Sequence, residues 1–140
     1  MMLYYLDTCI VIYAVEGQAP FQQRARTHLA TLEASGHGFV VSDLTRSECL
    51  VKPLGAGDGP LLLQYSKFFV GPNLHTVGLT LVMHERSSLI RGSYWYANGK
   101  RYSLPDALHL AAAIEFGCES FLTNDNDLAG FPDITVEVLP

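Results

Sequence analysis

Short apolar runs bounded by helix caps or turns constrain this chain more than any other feature. Residues 3–6, 38–41 and 120–122 are long enough for strands and too short for buried helices. Asp7-Thr8 follows the first run, Ser42-Asp43 the second and Thr123-Asn124-Asp125 the third. Asp, Ser and Thr at such points accept hydrogen bonds from the free amides of a helix start. Residues 75–77 and 135–139 offer two further short strands.

Helical spacing fills the intervals. Ile10, Tyr13 and Ala14 follow the first run, and Ala25, Leu29 and Leu32 line one face of a helix over 21–34. A third helix carries Leu44, Glu48 and Val51, and Pro53 is expected to stop it. Residues 55–60 read as a loop, with Pro60 near the start of a helix carrying Leu61, Tyr65, Phe68 and Phe69. Residues 79–90 suggest another helix, with Leu79, Val82, Met83 and Leu89 inward, whereas 92–101 looks irregular. Ser103, Pro105 and Asp106 mark a strong helix start, and that helix runs through Phe116 to Gly117. Strands alternating with helices imply an α/β fold with a mostly parallel sheet.

A chain of 140 residues suits one domain, 1–140, and its 49% apolar content supports a single core. No apolar run approaches the ~18 residues of a membrane span. No basic segment precedes the first apolar residues, so a cytoplasmic protein without a signal peptide is expected. Cys9, Cys49 and Cys118 are widely spaced and lack a CxxC pair, which argues for free thiols rather than structural zinc. A net charge of -5 with nine scattered basic residues argues against a protein that coats nucleic acid by charge alone. It leaves open an enzyme whose bound metal ions invert the local charge.

Four acids stand where that chemistry could occur. Asp7 ends the first strand and Asp125 follows the fourth, at the carboxyl edge where open α/β sheets bind ligands. Glu48 lies in a helix leaving the same edge, and Asp106 lies in the first turn of another. Crowded carboxylates repel and retain protons unless a cation joins them. Magnesium and manganese favour such oxygen donors and could drive phosphodiester hydrolysis by activating water and stabilising the leaving oxygen. Each acid also has a purely structural use: Asp7 as a cap, Asp106 at a helix amino end, Glu48 on an exposed stripe, Asp125 and Asp127 as turn residues.

The motifs LYYLDTCIVIYA, VVSDLTRSECL and YSLPDALHLAAAIEFGCESFLTNDNDL, in this order, resemble the PIN-domain ribonucleases. Within them the chain is similar to the VapC toxins of toxin–antitoxin pairs, over nearly its whole length. The resemblance implies a three-layer α/β/α domain around a central, mostly parallel sheet. It implies a magnesium-dependent endoribonuclease, with manganese as a substitute, acting on RNA. It also implies a homodimer silenced by a cognate antitoxin protein seated near the acidic rim. Asp7, Glu48, Asp106 and Asp125 match the family acids, and Asp127 is a reserve ligand. Thr123 would support Asp125 or a metal-bound water. His109, three positions after Asp106, is expected to be structural or to sit behind the ligands, since a ring nitrogen is softer than the oxygens magnesium prefers.

The stretch SYWYANGKRY is more aromatic than that pattern suggests. Tyr94, Trp95 or Tyr96 could stack on bases while Lys100 and Arg101 meet phosphates, or two of the aromatics could pack in the core or a dimer seam. Competing functions are a PIN-like nuclease acting on DNA and a catalytically silent RNA-binding or scaffold protein. A phosphate-receiver domain lacks its paired early acids and late lysine here, and no GxGxxG supports a dinucleotide enzyme.

Overall fold

The computed structural model describes residues 1–140. Five strands, β1 (Leu3–Leu6), β2 (Gly38–Ser42), β3 (Leu74–Val77), β4 (Ser120–Thr123) and β5 (Thr135–Val138), form one sheet in the order β3-β2-β1-β4-β5. Every pairing is parallel. Six helices connect them: α1 (Thr8–Glu16), α2 (Phe21–Ala34), α3 (Asp43–Ala56), α4 (Gly59–Phe69), α5 (Leu81–Asn98) and α6 (Leu104–Phe116). A 3-10 turn, Asn126–Leu128, follows β4.

The period-two alternation of the strands divides the interior. Tyr4, Leu6, Phe39, Val41 and Leu122 pack with residues of α1 to α4, including Ile10, Leu29, Cys49 and Tyr65. Tyr5, Val40 and Phe121 point the other way and pack with residues of α5 and α6, including Met83, Ile90 and Leu110. The molecule is therefore an α/β/α sandwich with a core on each face of the sheet, not the single core expected from composition. Burial on both faces explains why the central strands read as continuous apolar runs rather than alternating ones.

Four local expectations are corrected. Pro53 does not stop α3; the helix continues to Ala56, and Gly57 ends it in the left-handed conformation at φ 63°. Pro53 is buried, so its ring contributes packing that offsets the amide bond lost inside the helix. The loop 55–60 shrinks accordingly, because α4 starts at Gly59 with the Asp58 side chain capping Leu61 N–H and Pro60 in the first turn. Residues 92–98 are helical: α5 runs from its Thr80 cap to Gly99, whose φ of 73° lets its N–H close on the Trp95 carbonyl. The inward stripe of α5 is Met83, Ser87, Ile90 and Tyr94, at helical spacing. Val82 and Leu89 lie off that stripe and are exposed, and Leu79 precedes the helix half-buried.

Winding runs from β1 outward through β2 to β3, then crosses back to β4 and β5. The reversal falls between β1 and β4, which places a topological switch point in the middle of the sheet.

Candidate active site at the carboxyl edge

Pairing of Leu6 with Leu122 sets the next residues, Asp7 and Thr123, side by side at the switch point. Asp7 N–H donates to the Leu122 carbonyl at 2.9 Å. Both oxygens of the buried Asp7 carboxylate are engaged: Oδ1 accepts from Thr8 N–H at 2.8 Å and Oδ2 from the Thr123 hydroxyl at 2.7 Å. Asp7 is thus a helix cap, and it is also held in one orientation at the sheet edge. Thr123 Oγ1 in turn accepts from Asp125 N–H at 3.0 Å. Its hydroxyl therefore acts on Asp7 directly, and on Asp125 only through the backbone.

Glu48 reaches the same edge from α3. Its Oε1 accepts from Thr8 Oγ1 at 2.6 Å and from His109 Nε2 at 2.6 Å, which leaves Oε2 for other contacts. Burial pushes the Glu48 carboxyl up, but the bonds from His109 and Thr8 outweigh it and hold the group below the ordinary range. His109 is itself buried, and its Nδ1 lies 2.6 Å from Tyr5 Oη, which donates to Ser42 Oγ at 2.9 Å.

Asp106 behaves oppositely. Burial and the nearby Asp7 charge push its carboxyl up, with Asp125 adding in the same direction, against lowering by Ser103 and His109. Ser103 caps α6 by accepting from Asp106 N–H at 3.2 Å, so Pro105 and Asp106 sit in the first turn as the spacing suggested. Asp125 is half-buried, and its Oδ1 accepts from Asp127 N–H at 2.9 Å. Asp127 is exposed and makes its hydrogen bonds through its backbone.

The structure thus brings Asp7 and Asp125 within electrostatic range of Asp106 and links Glu48 to Asp7 through Thr8, while Asp127 stands at the periphery. Sequence reasoning missed Tyr5, Thr8 and Ser42, which brace His109, Asp7 and Glu48. The three-residue step from Asp106 to His109 was the one visible signal of that bracing.

The PIN domain family profile matches residues 4–134. This chain belongs to the PIN domain family. Solved structures share the fold at low identity. A chain of VapBC2 from Rickettsia felis, crystallised on a DNA fragment from its promoter, superposes with a TM-score of 0.81 at 16% identity, covering 99% of this chain and 100% of that one. A toxin–antitoxin complex from Klebsiella pneumoniae gives 0.69 at 23% identity, covering 98% of both chains. The sarcin–ricin-loop-cleaving toxin VapC20 of Mycobacterium tuberculosis gives 0.68 at 17% identity, covering 94% of this chain and 98% of that one. No curated protein sequence matches the chain.

In this PIN domain no three His, Cys, Asp or Glu side chains are drawn close enough to hold a metal ion as they stand. The donor chemistry nevertheless fits a hard cation. The acids offer oxygen only, and burial followed by the Asp7 charge raises the neighbouring Cys9 thiol to about 11, so it is protonated at neutral pH in the metal-free protein. Like charge acting on Asp106 is what a cation would relieve. Magnesium needs only one or two carboxylates, with water and substrate phosphate completing its shell, so a pre-closed cage is not required.

Proposed function

We propose that the protein is a divalent-metal-dependent endoribonuclease that hydrolyses RNA phosphodiester bonds, and the toxin of a toxin–antitoxin pair. The observation that carries this reading is the carboxylate cluster at the switch point of a PIN domain. Asp7 and Glu48 are locked there by donors, while Asp106 is left under the repulsion of its neighbours.

Asp7, Glu48, Asp106 and Asp125 are the residues that would hold magnesium or manganese, with Asp127 contributing from the outside. When bound, the cation supplies Lewis acidity and an activated water for attack on phosphorus. The chain's own residues do the positioning. Thr123 and the Thr8 amide orient Asp7. Thr8 and His109 orient Glu48 and keep it ionised. In the metal-free protein Asp106 takes up a proton more readily than an ordinary aspartate.

Two surfaces support the partner reading. A concavity of about 570 Å3 is lined by apolar residues including Val15, Leu29, Phe39, Phe68 and Leu74, with Arg26, Glu33 and Lys67 among its polar ones. Phe39 and Leu74 lie at the amino ends of their strands, so this concavity lies toward the amino edge of the sheet, away from the acids. It suits an apolar segment of an antitoxin better than a groove at the acidic rim does. Val51 and Leu54 on α3 and Leu81, Val82 and Leu89 on α5 are exposed apolar residues that a homodimer would cover. Light scattering showing a monomer throughout the micromolar range would reject the dimer.

The function is tested by offering matched single-stranded RNA and DNA with magnesium, with manganese, and with a chelator. Cleavage of RNA alone, abolished by chelation, is the expected result. Cleavage of DNA alone would transfer the same chemistry to DNA, and no cleavage of either would leave a silent scaffold.

A further inference from the structure

The end of α5 and its connection to α6 bring aromatic and cationic side chains together beside the acidic edge. Lys100 Nζ donates to the Asp127 backbone carbonyl at 3.3 Å, and Asp127 N–H donates to Asp125 Oδ1. The connection is therefore tied directly to the turn that carries a candidate ligand. Beneath it, Tyr94 packs against Tyr102 and Phe131 with ring centres 5.4 and 5.7 Å apart, a firm apolar footing. This accounts for two aromatics of the stretch, Tyr94 and Tyr102. Trp95 and Tyr96 are not consumed by the core: they are 45% and 89% exposed.

Most cations elsewhere in the chain are held by oxygens. Lys52 pairs with Glu16 and Arg86 with Glu115, while Arg24, Arg26 and Arg91 bind backbone carbonyls. Lys100 and Arg101, like Arg46 and Lys67, have no carboxylate partner, and Lys100 is tied to the turn that carries Asp125. Arg101 lies over the Trp95 ring, 4.4 Å from its centre, and Lys100 lies 5.4 Å from the centre of Tyr102. In a chain of net charge -5, two unneutralised cations beside an exposed indole form a surface complementary to an anionic ligand that also carries flat rings.

We propose that Trp95, Arg101 and Lys100 form a cradle for single-stranded RNA next to the acidic edge. An unpaired base stacks on Trp95, and the two cations meet the adjoining phosphates. The strand must be single because a base within a duplex cannot offer its face to the indole. The proposal rests on the endoribonuclease reading and assigns that site its substrate-holding residues. A second copy of this chain, with its own exposed Tyr96 and Phe116, is the competing occupant that the test below separates.

Trp95 is the only tryptophan, so its emission reports on this surface alone. The full-length Asp106→Asn variant is titrated, in magnesium, with a short single-stranded oligoribonucleotide of mixed sequence. Saturable quenching is expected. Anisotropy of the labelled RNA should show binding weakened about tenfold by Trp95→Ala and less by Trp95→Phe. Arg101→Ala should lower the slope of log affinity against log salt by about 0.7. Emission unchanged through saturation, with affinity unchanged in Trp95→Ala, overturns the cradle even if the wild type cuts RNA. Loss of a dimer in Trp95→Ala with RNA affinity intact overturns it in favour of a second copy. Quenching by RNA in a protein that cuts none supports the cradle and rejects the nuclease, so the two failures are distinguishable.

Discussion

His109 Nε2 lies 2.6 Å from Glu48 Oε1, joining α6 on one face of the sheet to α3 on the other. The bond passes over the carboxyl edge and makes the position of an acid in one layer depend on a ring buried in the other. Tyr5 extends it to β1 and, through Ser42, to the end of β2. The acidic edge is therefore braced from behind by buried polar side chains.

Replacing His109 by alanine should cost about 1–3 kcal/mol, because Tyr5 and Glu48 lose a buried partner. The pH dependence separates bracing from mere packing. Glu48 is held below the ordinary glutamate range in the folded protein, so its contribution to stability is present above that range and is lost as pH falls through the depressed value. The difference in thermal midpoint between metal-free wild type and His109→Ala should narrow as pH drops from 7 toward 3. A gap constant across that interval would show that the ring only fills space.

Asp106→Asn should abolish RNA cleavage without unfolding the protein. The carboxyl of Asp106 is raised, so its charged form opposes folding, and that cost grows as pH rises from the ordinary aspartate range through the raised value. Without metal at pH 7 the variant should melt no lower than the wild type. With magnesium the order should invert, since the wild type gains a ligand that the variant holds poorly. Wild-type cleavage by a folded variant in both magnesium and manganese would remove Asp106 from the site.

Thr123→Val keeps the shape of a fully buried side chain and deletes the hydroxyl that donates to Asp7 and accepts from the Asp125 amide. A loss of about 1–2 kcal/mol is expected, with Thr123→Ser close to wild type. Manganese affinity, read by calorimetry, should fall in the valine variant. Unaltered affinity would mean that Asp7 needs no orientation from β4.

Tyr65→Phe serves as a contrast. The Tyr65 hydroxyl donates to Glu16, which also pairs with Lys52 at 2.7 Å, tying α1, α3 and α4 together away from the acids. Chemical denaturation should show a loss of about 1 kcal/mol, while RNA cleavage stays at the wild-type rate. A drop in cleavage per folded molecule would extend the functional network to this cluster.

Legibility from sequence followed the range of the forces involved. β1, β2 and β4 were readable because each is an apolar run closed by a local cap, and α6 because Ser103, Pro105 and Gly117 mark both its ends. Pro53 and residues 92–98 misled because their helical state depends on tertiary burial and on left-handed glycines at 57 and 99. The acids could be picked out as neighbours of strand ends and helix starts. Their bracing could not, because Tyr5, Thr8, Ser42, Glu48 and His109 meet only after strand register and both helical layers are set.

Asp7 and Thr123 touch in the middle of the sheet although 116 positions separate them. This places a schedule on the molecule during synthesis. A nascent chain that has already displayed Asp7 and Glu48 has no site, because the central strand has a neighbour on one side only. β4 closes the other side, bringing Thr123 against Asp7 and carrying Asp125 to the edge behind it. Contacts so distant in sequence form late and slowly. On the ribonuclease reading, the messenger being translated is safe from its own product until β4 has left the ribosome and docked.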